Sequence, residues 1–463
     1  MATSLDDPTA SDDVLAYCHL SSSAKPTVNS LTGKVSSLES LTMDAPPHEL
    51  GGPSPMRIIT PGLFVRKDAV DTNYIGLNSI GATVALCLKD ALDSQHVPLT
   101  ADSLRFLIEA GPHLDEIGVP FRTDLLSLEL PPQSMYTQSI DAYFNSLHTS
   151  YPIVDETMMR ARAEAMYGPD RPQLQSHEYA EFFLVVSIGY LCDYPGGSNS
   201  AGTGQARQLI DNTYSQAWLL MNESISAPSE AAIQVLLLHA MYQMCFGKCG
   251  IAWVLCGFAL QVAQSIGLHR QSPRDMDLTE AKTLFQTQLW WTLYALDASL
   301  SMSQGRPPAI SNATTDKDIH HTTEESHAAP PTKSQIRLWN LQLAQLQNRF
   351  CHCMHRMDTL PSRMETLGEL DAELVRLRDS IPSDCRPEHE ILVPAERFSN
   401  ILLLHLEYHN LVRSIHWASI ALTSTTNGGV AKLTMRMRAS EAICLAAARS
   451  FIGTLNHVVV PAS

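Results

Sequence analysis

Apolar residues recur at spacings of three and four along most of the chain from about residue 134 onward, a pattern that predicts helices. The clearest helix covers 228–246, where the apolar side chains form one continuous stripe. We expect Ser226 or Ala227 at its start and Pro228 in its first turn, where the missing N–H of proline costs nothing. The stripe consists of Ile233, Leu236, Leu237, Ala240, Met241 and Met244.

A second helix follows a tight connection bracketed by Gly247 and Gly250, and it is expected to stop at Gly267. Small side chains on one face of this helix would let a neighbouring helix approach closely. The two helices are therefore predicted to form an antiparallel pair. The face carries Ala252, Cys256, Ala259, Ala263 and Ile266.

A third helix is predicted to open at Asp277, whose carboxylate can cap it, with Glu280 completing a capping box. It should end before the Gly-Arg-Pro-Pro sequence at 305–308, and the polar range 311–333 reads as a long loop. The apolar stripe of the third helix is Leu289, Leu293, Leu296 and Leu300. Four further helices are predicted at about 335–357, 363–379, 395–418 and 431–454.

The chain before residue 134 has a different composition. Residues 1–60 are rich in Ser, Thr, Asp, Gly and Pro, so we expect a disordered tail there. Residues 61–133 are mixed and are taken as an N-terminal extension of the helical region. The alternation typical of strands is not evident after residue 130. The predicted fold class is all-α, with packed antiparallel helix pairs and one helical domain over 134–455.

Net charge and cysteine usage narrow the function. The chain has 48 acidic and 32 basic residues and a formal net charge of −16, which disfavours direct contact with nucleic acid. Its ten cysteines are scattered, as expected for reduced thiols inside a cell. The first residues do not read as a secretory signal, and the apolar runs are too short to span a membrane. We therefore expect a soluble intracellular protein.

Motifs that carry catalysis are not found. The sequence lacks a Gly-rich phosphate loop, a Gly-x-Ser-x-Gly elbow and a His-Glu-x-x-His pair. The dense group of metal-capable side chains is Cys351-His352-Cys353-Met354-His355. On a helix Cys351 and His355 would share one face, so they could hold zinc if two more ligands arrived from elsewhere. The favoured interpretation is a helix surface with one cysteine turned inward, and no catalytic, cofactor-binding or metal residue is predicted.

A set of residues in a defined order carries a family resemblance. The set is Trp253, Gly257, Gly267, Leu268, His269, Arg270, Trp290, Trp291, Asp297, Gly305, Arg306, Pro307 and Pro308. Upstream, Tyr143-Phe144 and then Tyr151-Pro152-Ile153 fit the same series. In this order the segments resemble the fungus-specific transcription factor domain, the central regulatory region of fungal zinc-cluster transcription factors. The likeness covers roughly residues 70–455.

The physical properties of these residues predict structural roles. The three tryptophans would supply apolar area to helix packing, and Gly267 would end a helix in a left-handed conformation. Arg306 would bind carbonyls at the end of the third helix or pair with Asp297. The family commonly has Asp-Arg where this chain has Asp297-Ala298.

The resemblance also implies a transcription regulator in the nucleus, controlling a metabolic gene set, with secondary metabolism as one expected class. The six-cysteine zinc cluster of the family is not visible, since only Cys18 lies in the first 60 residues. Zinc is expected only if such a cluster exists outside this sequence. DNA would then be reached through that module or through a partner in a homodimer or heterodimer, and a small-molecule effector is expected.

Two other interpretations stay open. One is an all-α metabolic enzyme, which a deep pocket with converging Asp, Glu or His side chains would favour. A pocket lined by Trp, Leu and Met would favour an effector site instead. The other is a partner or antagonist that pairs with a zinc-cluster factor without binding DNA.

Overall fold

Helices make up nearly all of the structure that can be described. In this computed structural model the described residues are 62–66, 72–76, 128–169, 174–193, 203–271, 278–310, 331–356, 359–426 and 435–459. The helices are α1 Gln133–Asn145, α2 Leu147–Ser150, α3 Glu156–Tyr167, α4 Ser176–Asp193, α5 Thr203–Ser224, α6 Glu230–Cys245, α7 Cys249–Ser265, α8 Glu280–Gln304, α9 Lys333–His355, α10 Leu360–Ser380, α11 Ala395–Thr426 and α12 Met435–Val459. The described residues all lie in one unit, Pro53–Ser463.

One short hairpin lies in the mixed N-terminal extension. Strands β1 (Gly62–Arg66) and β2 (Thr72–Gly76) pair antiparallel, with Gly62 opposite Gly76. The remaining described residues are helices and their connections, so the all-α prediction is confirmed. The predicted disordered tail and nearly all of the predicted loop at 311–333 lie outside the described residues.

Contacts between successive helices give their relative directions. Trp253 near the start of α7 donates to Ser301 near the end of α8, and His269 just after α7 contacts Trp290 earlier in α8, so these two helices run antiparallel. Along α9 and α10, Arg349 pairs with Glu373 and Cys353 contacts the carbonyl of Arg363, which again requires opposite directions. The predicted antiparallel packing is therefore confirmed for these pairs.

The starts of two helices, α6 and α8, differ from the predictions by two or three residues. Helix α6 begins at Glu230, and its N-cap is Ser229, whose hydroxyl accepts the N–H of Ala232. Helix α8 begins at Glu280 with Thr279 as its N-cap, so the predicted opening at Asp277 is wrong. In both helices a hydroxyl nearer the apolar stripe supplies the acceptor that the first turn needs.

The faces of the helices follow the patterns more closely than their ends, since α11 ends at residue 426 rather than about 418 and α12 at 459 rather than about 454. The four predicted later helices all form, at 333–355, 360–380, 395–426 and 435–459. The predicted small-residue face of α7 is fully buried from Ala252 to Ala263, but Ile266 lies past the helix end and is 37% exposed. Gly250 belongs to the first turn of α7, and Gly247 alone makes the connection at positive φ.

Two core clusters divide the helices. The first is built mainly from α1 and α3–α8, and the second from α9–α12, with Met302 of α8 contributing to the second. Within the first cluster α1 and α4 touch backbone to backbone at Gly189. A Cβ placed on Gly189 would lie 1.8 Å from the carbonyl oxygen of Ser139, so only glycine fits there.

Candidate functional site: the junction at residues 305–310

The family-like residues lie on α7, on α8 and in the segments that follow these helices. Gly267 has φ +75° just after α7, and the N–H of Leu268 reaches back to the carbonyl of Ala263. This is the left-handed termination that the sequence predicts, because an L side chain would be strained there. The His269 ring then contacts Trp290 at 6.0 Å between centroids. The N–H of Arg270 binds the carbonyl of Gly267 and closes a tight turn.

The paired tryptophans of α8 have different surroundings. Trp290 is 0% exposed and ranks among the largest fully buried side chains, whereas Trp291 is half-buried and packs edge-on against Tyr294. Because successive helix positions point about 100° apart, only one of two neighbours can face the core centre. The predicted packing role therefore belongs chiefly to Trp290.

Helix α8 ends in a turn that redirects the chain. Gly305 has φ +61°, and its N–H binds the carbonyls of Ser301 and Met302. The N–H of Arg306 also binds the Ser301 carbonyl, at 2.9 Å. These bonds satisfy carbonyls at the helix end that would otherwise lack donors. The segment 305–310, which we call the junction, then folds back alongside α8.

Asp297 anchors the far end of the junction. One carboxylate oxygen, Oδ2, accepts the backbone N–H groups of Ala309 at 3.0 Å and Ile310 at 3.1 Å, and the Ser301 hydroxyl also donates to this carboxylate. Asp297 is only 2% exposed. Burial raises its pKa to about 6, although the three donors oppose that shift. The sequence offers Asp297 as one alternative partner of Arg306, whereas the carboxylate binds the junction backbone and Ser301.

Three polar side chains of α9 bind the junction from the other side. Asn348 Nδ2 donates to the carbonyl of Ile310 at 3.0 Å, and His352 Nε2 donates to the same carbonyl at 2.9 Å. The ring of His355 binds the carbonyl of Arg306, while burial lowers the pKa of His355. The junction is thus held between α8 and α9, and it connects the two core clusters.

The third side of the junction faces α7. Trp253 Nε1 donates to the Ser301 hydroxyl at 3.0 Å. The guanidinium of Arg306 lies 4.8 Å from the centre of the Trp253 ring, a cation–π distance. One cluster around the junction therefore contains residues up to 53 positions apart in the sequence. Its members are Trp253, Asp297, Gly305 and Arg306.

The metal alternative for 351–355 is not supported by this geometry. Cys351 and Cys353 are both buried, and burial raises the pKa of the Cys351 thiol. His352 and His355 are bound to junction carbonyls. Within the described residues, no group of three or more His, Cys, Asp or Glu side chains is placed to hold a metal ion. The sequence predicts that one cysteine of this segment turns inward, whereas both Cys351 and Cys353 are buried.

A groove with a volume of about 710 Å³ is lined by none of the junction residues. It is lined by residues of α1 and α11 and by Cys192 of α4. Six of the eleven lining residues carry hydroxyl or amide groups. The two acidic residues are Asp141, which is paired with Arg160, and Glu396. The groove therefore matches neither the converging acids and imidazoles of an enzyme nor the Trp, Leu and Met lining of an apolar effector pocket.

In the described part of the chain, no helix combines the length and apolar character needed to cross a membrane.

A second set of buried hydrogen bonds between helices was not predicted from the sequence. Glu407 of α11 accepts the hydroxyl of Ser299 at 2.8 Å and the amide of Gln347 at 2.6 Å, so it joins α8, α9 and α11. Desolvation raises the pKa of Glu407. The available signal was an acidic residue inside the apolar pattern of a long helix, and that signal does not reveal its partners.

The raised pKa of Asp297 gives a testable pH dependence. A carboxyl with a folded pKa of about 6 and an ordinary value of 3.8 stabilises the fold most when protonated, and this contribution falls as pH rises toward and through 6. We expect wild type to lose about 1 kcal/mol relative to Asp297→Asn between pH 5 and 7.5. Urea unfolding of both proteins across that range measures the difference. A constant difference would contradict the assignment.

The comparison with known protein families covers this same region. The model of the fungal specific transcription factor domain matches residues 140–378, which is just over half of the 463 residues. The chain belongs to this family. The fungal transcription factor domain of this chain runs from within α1 to within α10. It therefore contains the junction, helices α7 and α8 and the side chains of α9 that bind the junction.

Curated relatives of this chain are named as transcription regulators. An ABC-transporter-regulating transcription factor of Aspergillus fumigatus is 23% identical over 367 residues, covering 71% of this chain and 38% of the relative. A transcriptional regulatory protein of Schizosaccharomyces pombe is 24% identical over 338 residues, covering 70% and 43%. A sorbicillinoid biosynthetic cluster transcription factor of Penicillium rubens is 24% identical over 391 residues, covering 79% and 56%.

The chain spans about two fifths of the length of the first two relatives. No solved structure matches it. The family resemblance predicted from the order of the motif residues is confirmed. The roles of the individual motif residues remain predictions, for which the junction geometry supplies a structural basis.

Proposed function

We propose that this chain is the helical regulatory part of a transcription regulator that works in the nucleus. The observation that carries the proposal is the match of the fungal specific transcription factor domain to residues 140–378. The chemistry of the junction agrees with a structural and coupling role. Its buried acid and imidazoles hold backbone groups in place, and we propose that none of them takes part in catalysis.

The target is proposed to be a metabolic gene set, with secondary metabolism as the favoured class. Support comes from the relatives, one of which is named for a sorbicillinoid biosynthetic cluster and one for regulating an ABC transporter. Each of those names describes the relative itself. For this chain the same class of targets is a proposal that follows from the shared domain.

Access to DNA is proposed to run through a partner or a separate DNA-binding module. The net charge of −16 opposes close approach to phosphates, because DNA affinity comes largely from Lys and Arg. The module could belong to a homodimer or to a heterodimer with a zinc-cluster factor, which this chain would activate or antagonise. No zinc is assigned to this chain. A polar small-molecule effector fits the proposal, since the groove of α1 and α11 offers hydroxyl and amide partners.

The first test follows from the charge. The purified chain is expected to give no sequence-specific mobility shift on duplex DNA at physiological salt, because phosphate neutralisation is weak. In the organism that encodes it, deletion should change the transcripts of a limited gene set, and a fluorescent fusion should collect in the nucleus. An unchanged transcript profile would overturn the regulatory role. A sharp shift that survives competitor DNA would overturn the need for a partner.

A further inference from the structure

Helix α12 buries little apolar area although it is 25 residues long. Among its described side chains it contributes one, Ala447, to the second core cluster. The 21-residue α10 contributes Leu367, Leu370, Leu374 and Leu377 to the same cluster. Because apolar burial is the main favourable term in helix packing, α12 is held against the rest of the chain much more weakly than α10.

The face that α12 turns toward α11 is mostly small and polar. Ser440 contacts His416, and the Cys444 thiol donates to the carbonyl of Arg413 at 3.9 Å, so α12 runs antiparallel to α11. At spacings of three and four this face consists of Met437, Ser440, Cys444, Ala447, Phe451 and Thr454. Larger apolar side chains lie outside it, since Met435, Ile443, Leu445 and Ile452 are all exposed.

A line of hydrogen-bonded side chains crosses from α12 through α11 to α10. Ser440 Oγ lies 3.3 Å from His416 Nδ1, and His416 Nε2 lies 3.3 Å from Asp371 Oδ1. Because a carboxylate only accepts, Nε2 carries a hydrogen, and Nδ1 of the singly protonated ring then accepts the Ser440 hydroxyl. Ser440 and His416 are both buried, so water does not compete freely for these bonds. We call this line of Asp371, His416 and Ser440 the latch.

We propose that α12 is a releasable helix, which the latch holds closed and which leaves α11 while the rest of the domain stays folded. Since α12 buries little apolar area, the latch supplies a large share of its attachment. Release uncovers the face of α11 that carries His416. The junction contacts α7, α8 and α9, so it stays in place. The regulator thereby has an α11 surface that is covered in one state and available in the other.

Two cysteines distinguish release of α12 from unfolding of the domain. The Cys444 thiol lies between α12 and α11, where burial raises its pKa and slows its alkylation, because the thiolate is the reactive form. Cys351 of α9 is 3% exposed inside the second core cluster, so it reacts only when that core opens. Reaction of Cys444 alone therefore reports α12 leaving a closed core.

The experiment is alkylation of the folded full chain with iodoacetamide, followed for each cysteine by mass spectrometry. Cys444 should react at least about tenfold faster than Cys351, because local opening costs less than global unfolding. Ser440→Ala should speed the reaction of Cys444 about fivefold, as expected for the loss of one hydrogen bond, and leave Cys351 unchanged. Alanine is the better helix former, so helix propensity alone does not explain a faster reaction.

Asp371→Ala tests the latch from α10. We expect it to speed the reaction of Cys444 about threefold in wild type and to have no further effect in Ser440→Ala, because its influence passes through His416. Thr454→Val is the matched control. The Thr454 hydroxyl lies on the same face of α12 but binds the carbonyl of Ser450 in its own helix, so the rate at Cys444 should stay unchanged.

Two results would overturn the proposal. If Cys444 and Cys351 react at one common rate, α12 belongs to the cooperative core and is not released. If Ser440→Ala changes the rate at Cys444 no more than Thr454→Val does, the latch does not hold α12. Should Ser440→Ala fail to fold by circular dichroism, Asp371→Ala decides, because the Asp371 side chain is 40% exposed and its removal leaves the core filled. These measurements need neither DNA nor transcription, so their failure leaves the proposed function standing.

Discussion

Replacing Trp290 by alanine is expected to lower the free energy of unfolding by about 3–5 kcal/mol. The side chain is fully buried near the middle of α8, within the first core cluster. Removing the indole leaves a cavity that the surrounding helices can close only in part, so both transfer energy and packing contacts are lost. Urea unfolding followed by far-UV circular dichroism measures the change.

Trp291 is the natural control for this prediction. It adjoins Trp290 and has the same chemistry, but it is half-buried, so Trp291→Ala should cost clearly less. Trp290→Phe should also cost less than Trp290→Ala, because it keeps most of the apolar volume. Among the described residues the indole N–H of Trp290 has no hydrogen-bond partner, so Trp290→Phe removes no hydrogen bond there. Equal losses for Trp290→Ala and Trp291→Ala would contradict the deeper packing of Trp290.

Replacing Asp297 by alanine is expected to cost about 2–4 kcal/mol and to loosen the junction. The change leaves the N–H groups of Ala309 and Ile310 without their acceptor inside the protein, and the Ser301 hydroxyl loses the same partner. A buried donor left unpaired costs about 1–3 kcal/mol. At pH 7 the expected loss of stability is smaller than the sum of the costs of these unpaired donors, since alanine also removes the cost of burying an ionised carboxylate.

Amide hydrogen exchange measures whether the junction loosens in Asp297→Ala. In Asp297→Ala the amides of Ala309 and Ile310 should exchange much faster, while amides in α11 and α12 should change little. Asp297→Asn keeps an oxygen acceptor and should retain most of the protection. Asp141→Ala serves as a surface control, because Asp141 is exposed and its ion pair with Arg160 is worth less than about 1 kcal/mol. Unaltered exchange at Ala309 and Ile310 would remove Asp297 from its anchoring role.

Asp297 also explains how the motif residues can share one role although the sequence separates them. The carboxylate fixes the junction against α8, and Asn348 and His352 fix it against α9. The ring of Trp253 on α7 contacts the guanidinium of Arg306 in the junction. The junction is therefore in contact with α7, α8 and α9 at once. This geometry suits a domain that couples a binding event to a partner, as the proposed function requires.

The amino-acid sequence by itself determined the class of fold and the family. Spacings of three and four predicted the helices, and the later helices all form, although α11 extends eight residues beyond its predicted end. Such periodicity is local, because it reflects which side of one helix avoids water. The left-handed glycine at Gly267 was equally predictable, since helix termination depends on neighbouring residues alone. The start of α8 was misplaced because Thr279 and Asp277 are both good caps.

Only the tertiary structure decided which residues meet. The partners of Asp297 are backbone N–H groups 12 and 13 positions away, and Asn348 reaches Ile310 across 38 positions. Gly189 and Gly257 look alike in the sequence, yet one is forced by the approach of α1 and the other faces outward. Periodicity gives the direction of a side chain from its own helix axis. What lies in that direction depends on how distant helices pack, which no local pattern encodes.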